Sequence, residues 1–289
     1  MNRWILADAS HQGQVRFAVY DQQAASINDR CSLASDAHPT FTDALLAFAN
    51  RVGLNPCKTG CVLSVGGPPV SDVVAIARSR WTISRAGLAS MFDGRAHVIN
   101  DVAAIAWSLV GEPAPALESL VGPAPGFGSF GRWAVVTIGE GLGGAVLGTD
   151  DRLPPRVSTC EPGHMDFAPR SALQCSVLGH ALKARKHVSW EDVLCGATPG
   201  LLAPGEWPAA VGNFVGNYVI AAGAWNGVIL AGNQAVKLRE PDALESLRTA
   251  FSDRPKYGRK LAGASCSLLV RPDPLLGCAE YLRRKAGSG

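Results

Sequence analysis

Apolar positions along the chain fall into short runs broken by Gly, Pro and polar turn residues, and the runs switch between strand-like and helix-like spacing. WILAD (4–8) and VRFAVYD (15–21) read as two strands joined by the turn SHQGQ. TDALLAFANRV (42–52) has apolar residues at helical spacing and predicts a helix capped by Thr42. CVLSVGG (61–67) predicts a buried strand ending in Gly-Gly, and DVVAIARSRWTIS (72–84) alternates as one further strand does. AHVIND (96–101) is a strand whose last residues are polar, followed by the helical run VAAIAWSLV.

A Pro/Gly-rich connector, 111–128, separates these elements from a second strand pair, RWAVVTIG (132–139) and GGAVLGT (143–149), joined at Glu140-Gly141-Leu142. The opening hairpin therefore recurs. VGNFVGNYVIAAGAWNGVILAGN (211–233) predicts a helix and then a strand, and CSLLV (266–270) with LLGCAEYLRR (275–284) predicts a closing strand and helix. The pattern implies an α/β protein of two domains, one of residues 1–105 with 275–289 and one of residues 106–274.

Composition narrows the class. Of 289 residues, 47% are apolar and 18% charged, which supports a large core and argues against disorder. A net charge of +3 without a Lys/Arg block points to neither nucleic acid nor an anionic membrane. No apolar run approaches the roughly 20 residues that span a bilayer, and the chain enters a strand at once with no signal-like segment, so a cytoplasmic protein is expected. The eight cysteines are scattered; only Cys57 and Cys61 are close, with no second pair to complete a metal site. Reduced structural thiols are expected, and no metal held by the protein.

Chemistry concentrates in CEPGHMDFAP (160–169). Glu161 and His164 flank a Pro-Gly turn that fixes tight backbone, so both side chains are expected to project from one rigid loop. An acceptor beside a switchable donor/acceptor suits recognition of vicinal hydroxyls, and a surface turn with incidental polar residues is the plainer alternative. Asp101 ends a strand and precedes a helix, where active-site groups of α/β folds gather. It is placed either to accept a proton from a substrate or to cap a helix beginning at residue 102.

CEPGHMDFAP resembles the EGGHxDFAP signature of bacterial glucokinases, in the hexokinase and actin-like ATPase superfamily. VINDVAAIAW (98–107), TIGEGLGGAVLG (137–148), WEDVLCG (190–196) and DPLLGCAEYLR (273–283) match other segments of that family in the same order. The resemblance implies two ribonuclease-H-like (actin-like ATPase) domains with a sugar/nucleotide cleft between them. It implies transfer of the ATP γ-phosphoryl group, with Mg²⁺, to the 6-hydroxyl of glucose or a related hexose. Asp101 becomes the general base, and Asn100, Asp101, Glu161, His164 and Glu191 become the sugar ligands. Asp8, Ser10, Gly13, Gly139, Glu140, Gly141 and Gly232 fall on the nucleotide side, and a homodimer accords with the family.

The match is uneven. The sugar-side residues are intact except that Pro162 stands where the family has Gly, while SVGGPPVSDVV (64–74) and RSRW (78–81) only loosely follow segments that line the sugar. On the phosphate side, DASHQGQVR (8–16) stands where the family has DxGGTxxR, and Glu140 replaces the threonine of GxGTGLG. Asn233 replaces the last glycine of AGG, and a helical segment of the family between the positions of Gly200 and Val211 is missing. Two functions follow: a working sugar kinase, or a sugar-binding sensor that has lost ATP.

Overall fold

Runs without polar positions become central strands, and mixed runs become edges. The computed structural model describes residues 2–76, 79–195, 201–203 and 205–286. In chain order its elements are β1 (Arg3–Asp8), β2 (Gln14–Asp21), β3 (Ser26–Ala34), α1 (Phe41–Arg51), β4 (Gly60–Val65), β5 (Val73–Ala75), β6 (Thr82–Ser84), α2 (Arg85–Met91), β7 (Ala96–Asn100) and α3 (Asp101–Ser108). There follow β8 (Leu117–Val121), β9 (Gly131–Ile138), β10 (Leu142–Thr149), β11 (Arg156–Cys160), α4 (Ala172–Ala181), α5 (Trp190–Leu194), α6 (Trp207–Ala222), β12 (Gly227–Ala231), α7 (Pro241–Ser252), α8 (Gly258–Ala262), β13 (Ser265–Leu269) and α9 (Pro274–Ala286). Among the described residues no helix is long and apolar enough to cross a membrane.

The chain divides into two compact units, Met1–Pro113 with Asp273–Gly289, and Ala114–Pro272. The division falls within the Pro/Gly-rich connector, so α3 stays whole, whereas a boundary at 105 cuts it. In the first unit the sheet order is β3-β2-β1-β4-β7, antiparallel from β3 to β1 and parallel from β1 to β7. In the second it is β11-β10-β9-β12-β13-β8, again antiparallel across the opening three strands and parallel through β9, β12 and β13. The recurring hairpin is thus a recurring half-sheet. In each unit the C-terminal ends of the parallel strands carry the loops where α/β folds gather ligands.

Packing follows from the pattern. β4 and β12 are buried along their whole length, as continuous apolar runs require. α1 buries Phe41, Ala44, Leu45, Phe48 and Ala49, one stripe at helical spacing, against one face of the first sheet. The opposite face, with Leu6 and Val62, is covered by Ala104 of α3 and Leu275 and Cys278 of α9.

Several elements differ from the sequence pattern. α1 is capped by Thr40, whose side chain accepts the Asp43 N–H while Asp43 accepts the Thr40 N–H, so the cap lies two residues before Thr42. Segment 72–84 alternates on both of its arms, but it folds back as the short antiparallel pair β5–β6. Arg78 of the RSRW segment, Gly196 of WEDVLCG and residues 197–200 lie outside the described residues. The connector 111–128 contains β8, which pairs with β13. β3 and β11, mostly exposed edge strands, carry too little apolar pattern to announce themselves.

α3 and α9 cross so closely that a Cβ at Gly277 would lie 1.6 Å from the Ala104 carbonyl oxygen. Alanine there gains about 1 kcal/mol of helix propensity but forces a backbone shift of the overpacking kind, costing about 1–3 kcal/mol. Gly277→Ala is therefore expected to lower the denaturant midpoint of the first unit; an unchanged or raised midpoint would show that the helices separate freely.

Candidate functional site

In the first unit the predicted residues sit at the ends of β1 and β7. Asn100 is the N-cap of α3: its Oδ1 accepts the Ala103 N–H at 3.0 Å and its Nδ2 donates to the Gly67 carbonyl at 3.2 Å. The cap is thus Asn100 and not Asp101, because Asn caps as well as Asp. Asp101 becomes the first helical residue, partly exposed, with Oδ1 accepting the Val102 N–H at 2.9 Å. Capping by Asn100 releases Asp101 from the task that sequence alone assigned to it.

Asp8 is wholly buried at the end of β1. It accepts the Ser10 hydroxyl at 2.7 Å, the Ser10 N–H at 3.3 Å and the Arg16 Nε–H at 2.9 Å, with a second bond from the Arg16 guanidinium. His11 Nδ1 stands 3.4 Å from the same carboxylate. Burial raises its proton affinity, but His11, Arg16 and Ser10 together outweigh burial and hold the carboxyl below its ordinary range. Ser10 and His11, bulkier than the family's glycines, thus fold back onto Asp8. Gly13 lies in the exposed turn with a left-handed backbone. Ser64 pairs in register with Asp8, and its buried hydroxyl has no hydrogen-bond partner among the described residues.

In the second unit the β9–β10 turn organises the site. Gly139 N–H donates to the Gly141 carbonyl at 3.1 Å, and Leu142 N–H donates to Glu191 Oε2 at 2.8 Å. The Glu191 carboxylate lies so close to the turn that a Cβ on Gly141 would come within 3.1 Å of it. Glu140 stands exposed at the tip. Gly232, following β12, has φ +100°, and a Cβ there would meet the Ile138 carbonyl at 2.3 Å, so only glycine lets this loop close on the end of β9. Asn233 fills the space beside Gly139, its Oδ1 lying 3.2 Å from where a Cβ would stand.

The CEPGHMDFAP stretch leaves β11 and forms a single 3-10 turn, Pro162–His164, against β10. Pro162 packs on Gly144 and Gly163 on the Leu142 carbonyl, each too tightly for a Cβ on the glycine. From this clamped turn, half-buried Glu161 and exposed His164 project, as the Pro-Gly turn predicts. Met165 accepts the Trp190 N–H at 3.1 Å, which ties the loop to the start of α5. α5 carries Glu191 and is fixed by a Ser189–Asp192 capping box. Burial pushes the Glu161 carboxyl above its ordinary range; His164 opposes the shift and the Glu191 charge adds to it. Glu161, His164 and Glu191 therefore share one electrostatic neighbourhood, together with Gly139, Glu140, Gly141 and Gly232 in the same unit.

Sequence reasoning passed over two residues here. Cys160 Sγ and Tyr218 Oη lie 2.7 Å apart beneath the loop, and burial raises the proton affinity of both. Tyr218 lies in α6, and its only sequence signal is a polar tip in a mostly apolar run. Among the described residues no group of three or more His, Cys, Asp or Glu converges as a metal site.

A protein-family model described as Glucokinase matches residues 12–203. A curated glucokinase from Yersinia pestis (strain Pestoides F) is 29% identical, the match covering 79% of this chain and 81% of the relative. Among solved structures, a glucokinase from an Antarctic psychrotroph superposes with a TM-score of 0.77 at 22% identity, covering 98% of this chain and 99% of the other. Balamuthia mandrillaris glucokinase, in complex with glucose, superposes with a TM-score of 0.72 at 17% identity, covering 98% and 94%. At these identities the structural likeness establishes the fold: two actin-like ATPase halves.

The raised Glu161 carboxyl has a thermodynamic signature. Below its ordinary value near 4.5 the group is protonated, folded or unfolded, and the folded state carries no penalty. As pH rises through the higher folded value, the unfolded chain ionises more readily and stability falls. Glu161→Gln removes that penalty, so its unfolding temperature is expected to exceed wild type at about pH 7 and to match it at about pH 4. An equal difference at both pH values would contradict the assignment.

Proposed function

The chain belongs to the glucokinase family, and on that premise we propose that it phosphorylates glucose, or a hexose close to it, at the 6-hydroxyl with ATP as donor. The observation that carries the reading is the meeting of Glu161 and His164, on a clamped 3-10 turn, with Glu191 of α5, which is bonded to the β9–β10 hairpin. Two carboxylates and an imidazole offer the acceptors and the donor that ring hydroxyls need. A sugar lacking one of those hydroxyls would leave a half-buried carboxylate unpaired, which is how such a pocket selects. Asn100, which the resemblance makes a sugar ligand, holds its amide oriented within the first unit through Ala103 and Gly67.

In this reading Asp101 is the general base. It takes the proton of the 6-hydroxyl as O6 forms its bond to the γ-phosphorus, while the bond from that phosphorus to the bridging oxygen breaks and ADP leaves. Positioning supplies most of the catalysis in such a transfer, so a base fixed at the start of a capped helix suits the task. The Gly139–Gly141 turn, with Gly232 beside it, would face the polyphosphate. Mg²⁺ neutralises phosphate charge when bound with the nucleotide, but the residues of this chain suit a protein-held ion poorly, because Ser10 and Arg16 already occupy the Asp8 carboxylate. The cytoplasm, which supplies ATP and keeps thiols reduced, is the compartment we assign to the reaction; a homodimer is the assembly expected from the resemblance.

The saturation of Asp8 favours a second reading, a protein that binds hexose and transfers no phosphate. Glucose 6-phosphate formation separates the two. Wild type is expected to form product, and Asp101→Asn to lose about 10²–10⁴-fold in kcat with glucose affinity little changed. Glucose binding without product in wild type would leave only the second reading, and a fully active Asp101→Asn variant would remove Asp101 as the base.

A further inference from the structure

A cavity of about 470 Å³ opens in the first unit beside the early residues of β7, the edge strand of the five-stranded sheet, at the end away from Asn100 and Asp101. Small apolar side chains of α2 and β7 form its floor, His97 and Tyr281 its wall, and the exposed side chains of Asp72, Arg85 and Lys285 its mouth. Its volume is that of ordinary metabolite pockets.

The wall is rigid. The His97 ring stacks on Trp4 with centroids 5.9 Å apart and meets Tyr281 edge-on at 5.5 Å. Burial, and then the charge of Lys285, lowers the proton affinity of His97, so its imidazole is neutral around physiological pH. The charge at the mouth therefore comes from three groups. Asp72 is turned onto the start of α2, one oxygen accepting the Ala86 N–H at 2.8 Å and the other the Ser84 hydroxyl at 3.0 Å. Arg85 spends one N–H on the Pro69 carbonyl at 3.1 Å and forms no ion pair among the described residues. Lys285 lies 5.7 Å from the Tyr281 ring centre and likewise forms no ion pair, although its neighbours Arg283 and Arg284 both pair with Glu280. Two cations without anionic partners thus flank a pocket whose one carboxylate is already engaged.

We propose that this cavity binds a small phosphate-bearing metabolite, the phosphate held by Arg85 and Lys285 and the body of the molecule lying against Tyr281 and His97. An Arg fork and a Lys ammonium are the usual pair for a phosphate dianion, and a neutral imidazole beside a phenol suits a hydroxylated body. The proposal is independent of the sugar reading, since none of Arg85, Lys285, His97 and Tyr281 belongs to that pocket.

The test titrates inorganic phosphate, and separately glycerol 3-phosphate, into wild type, Arg85→Gln, Lys285→Gln and the double variant, following the His97 ring resonances by NMR and heat by calorimetry. Both side chains are exposed, so the variants are expected to keep the wild-type unfolding temperature. Wild type is expected to bind with a shift of the His97 signals, each single variant to bind roughly tenfold more weakly, and the double variant to lose the shift. Absence of any His97 shift in wild type, or phosphate binding undiminished in the double variant, would overturn the proposal.

Discussion

One hydrogen bond, from the Leu142 amide to the Glu191 carboxylate, holds the second unit's site together. It fixes the β9–β10 turn from outside the hairpin and aims a charged group of α5 at the place where Glu161 and His164 emerge. The bond is affordable because Gly141 leaves room for the carboxylate. An amide-to-carboxylate bond of this kind contributes about 1.5–3 kcal/mol. It also ties α5, with Glu191, to the turn that carries Glu140.

The first unit is governed by a different economy. Asp8 is buried with its charge answered by Arg16, Ser10 and His11, and its carboxyl is held below its ordinary range against the pull of burial. Removing Arg16 would leave the buried Asp8 charge without its ion-pair partner, and breaking such a pair costs about 3–5 kcal/mol. Ser10 and His11 make this a turn that closes on its own acid. Meanwhile Asn100 takes over the cap of α3 and leaves Asp101 to other work. The first unit thus encloses Asp8 at the end of β1 and leaves Asp101 partly exposed at the start of α3.

Much of this was legible in the chain. WILAD, CVLSVGG and GVILAG are buried on both faces and so read as unbroken apolar runs, and the recurring hairpin revealed the repeated half-sheet. CEPGHMDFAP announced a rigid turn because Pro and Gly leave the backbone little choice. What escaped was tertiary. β3 and β11 are exposed edges with polar faces, and β8 sits inside a Pro/Gly-rich stretch, so neither period nor propensity marks them. Of the two roles the sequence left open for Asp101, the cap falls to Asn100 instead, because Asn and Asp cap alike and only geometry decides between neighbours. The Glu191–Leu142 bond spans 49 residues of sequence, and no local pattern reports it. The mouth of the cavity beside β7 draws Arg85 from α2 and Lys285 from α9, elements far apart in sequence, so their sharing of one pocket has no sequence signal either.

The central claim is that the cluster of Glu161, His164 and Glu191, held against the β9–β10 hairpin, recognises a hexose. Calorimetric titration of glucose into wild type and Glu191→Gln tests it most directly, because glutamine can still accept the Leu142 N–H and loses only the charge. Wild type is expected to bind glucose and the variant to bind it roughly tenfold more weakly, with the fold unchanged. No glucose heat in wild type, or equal affinity in the two proteins, would contradict the account.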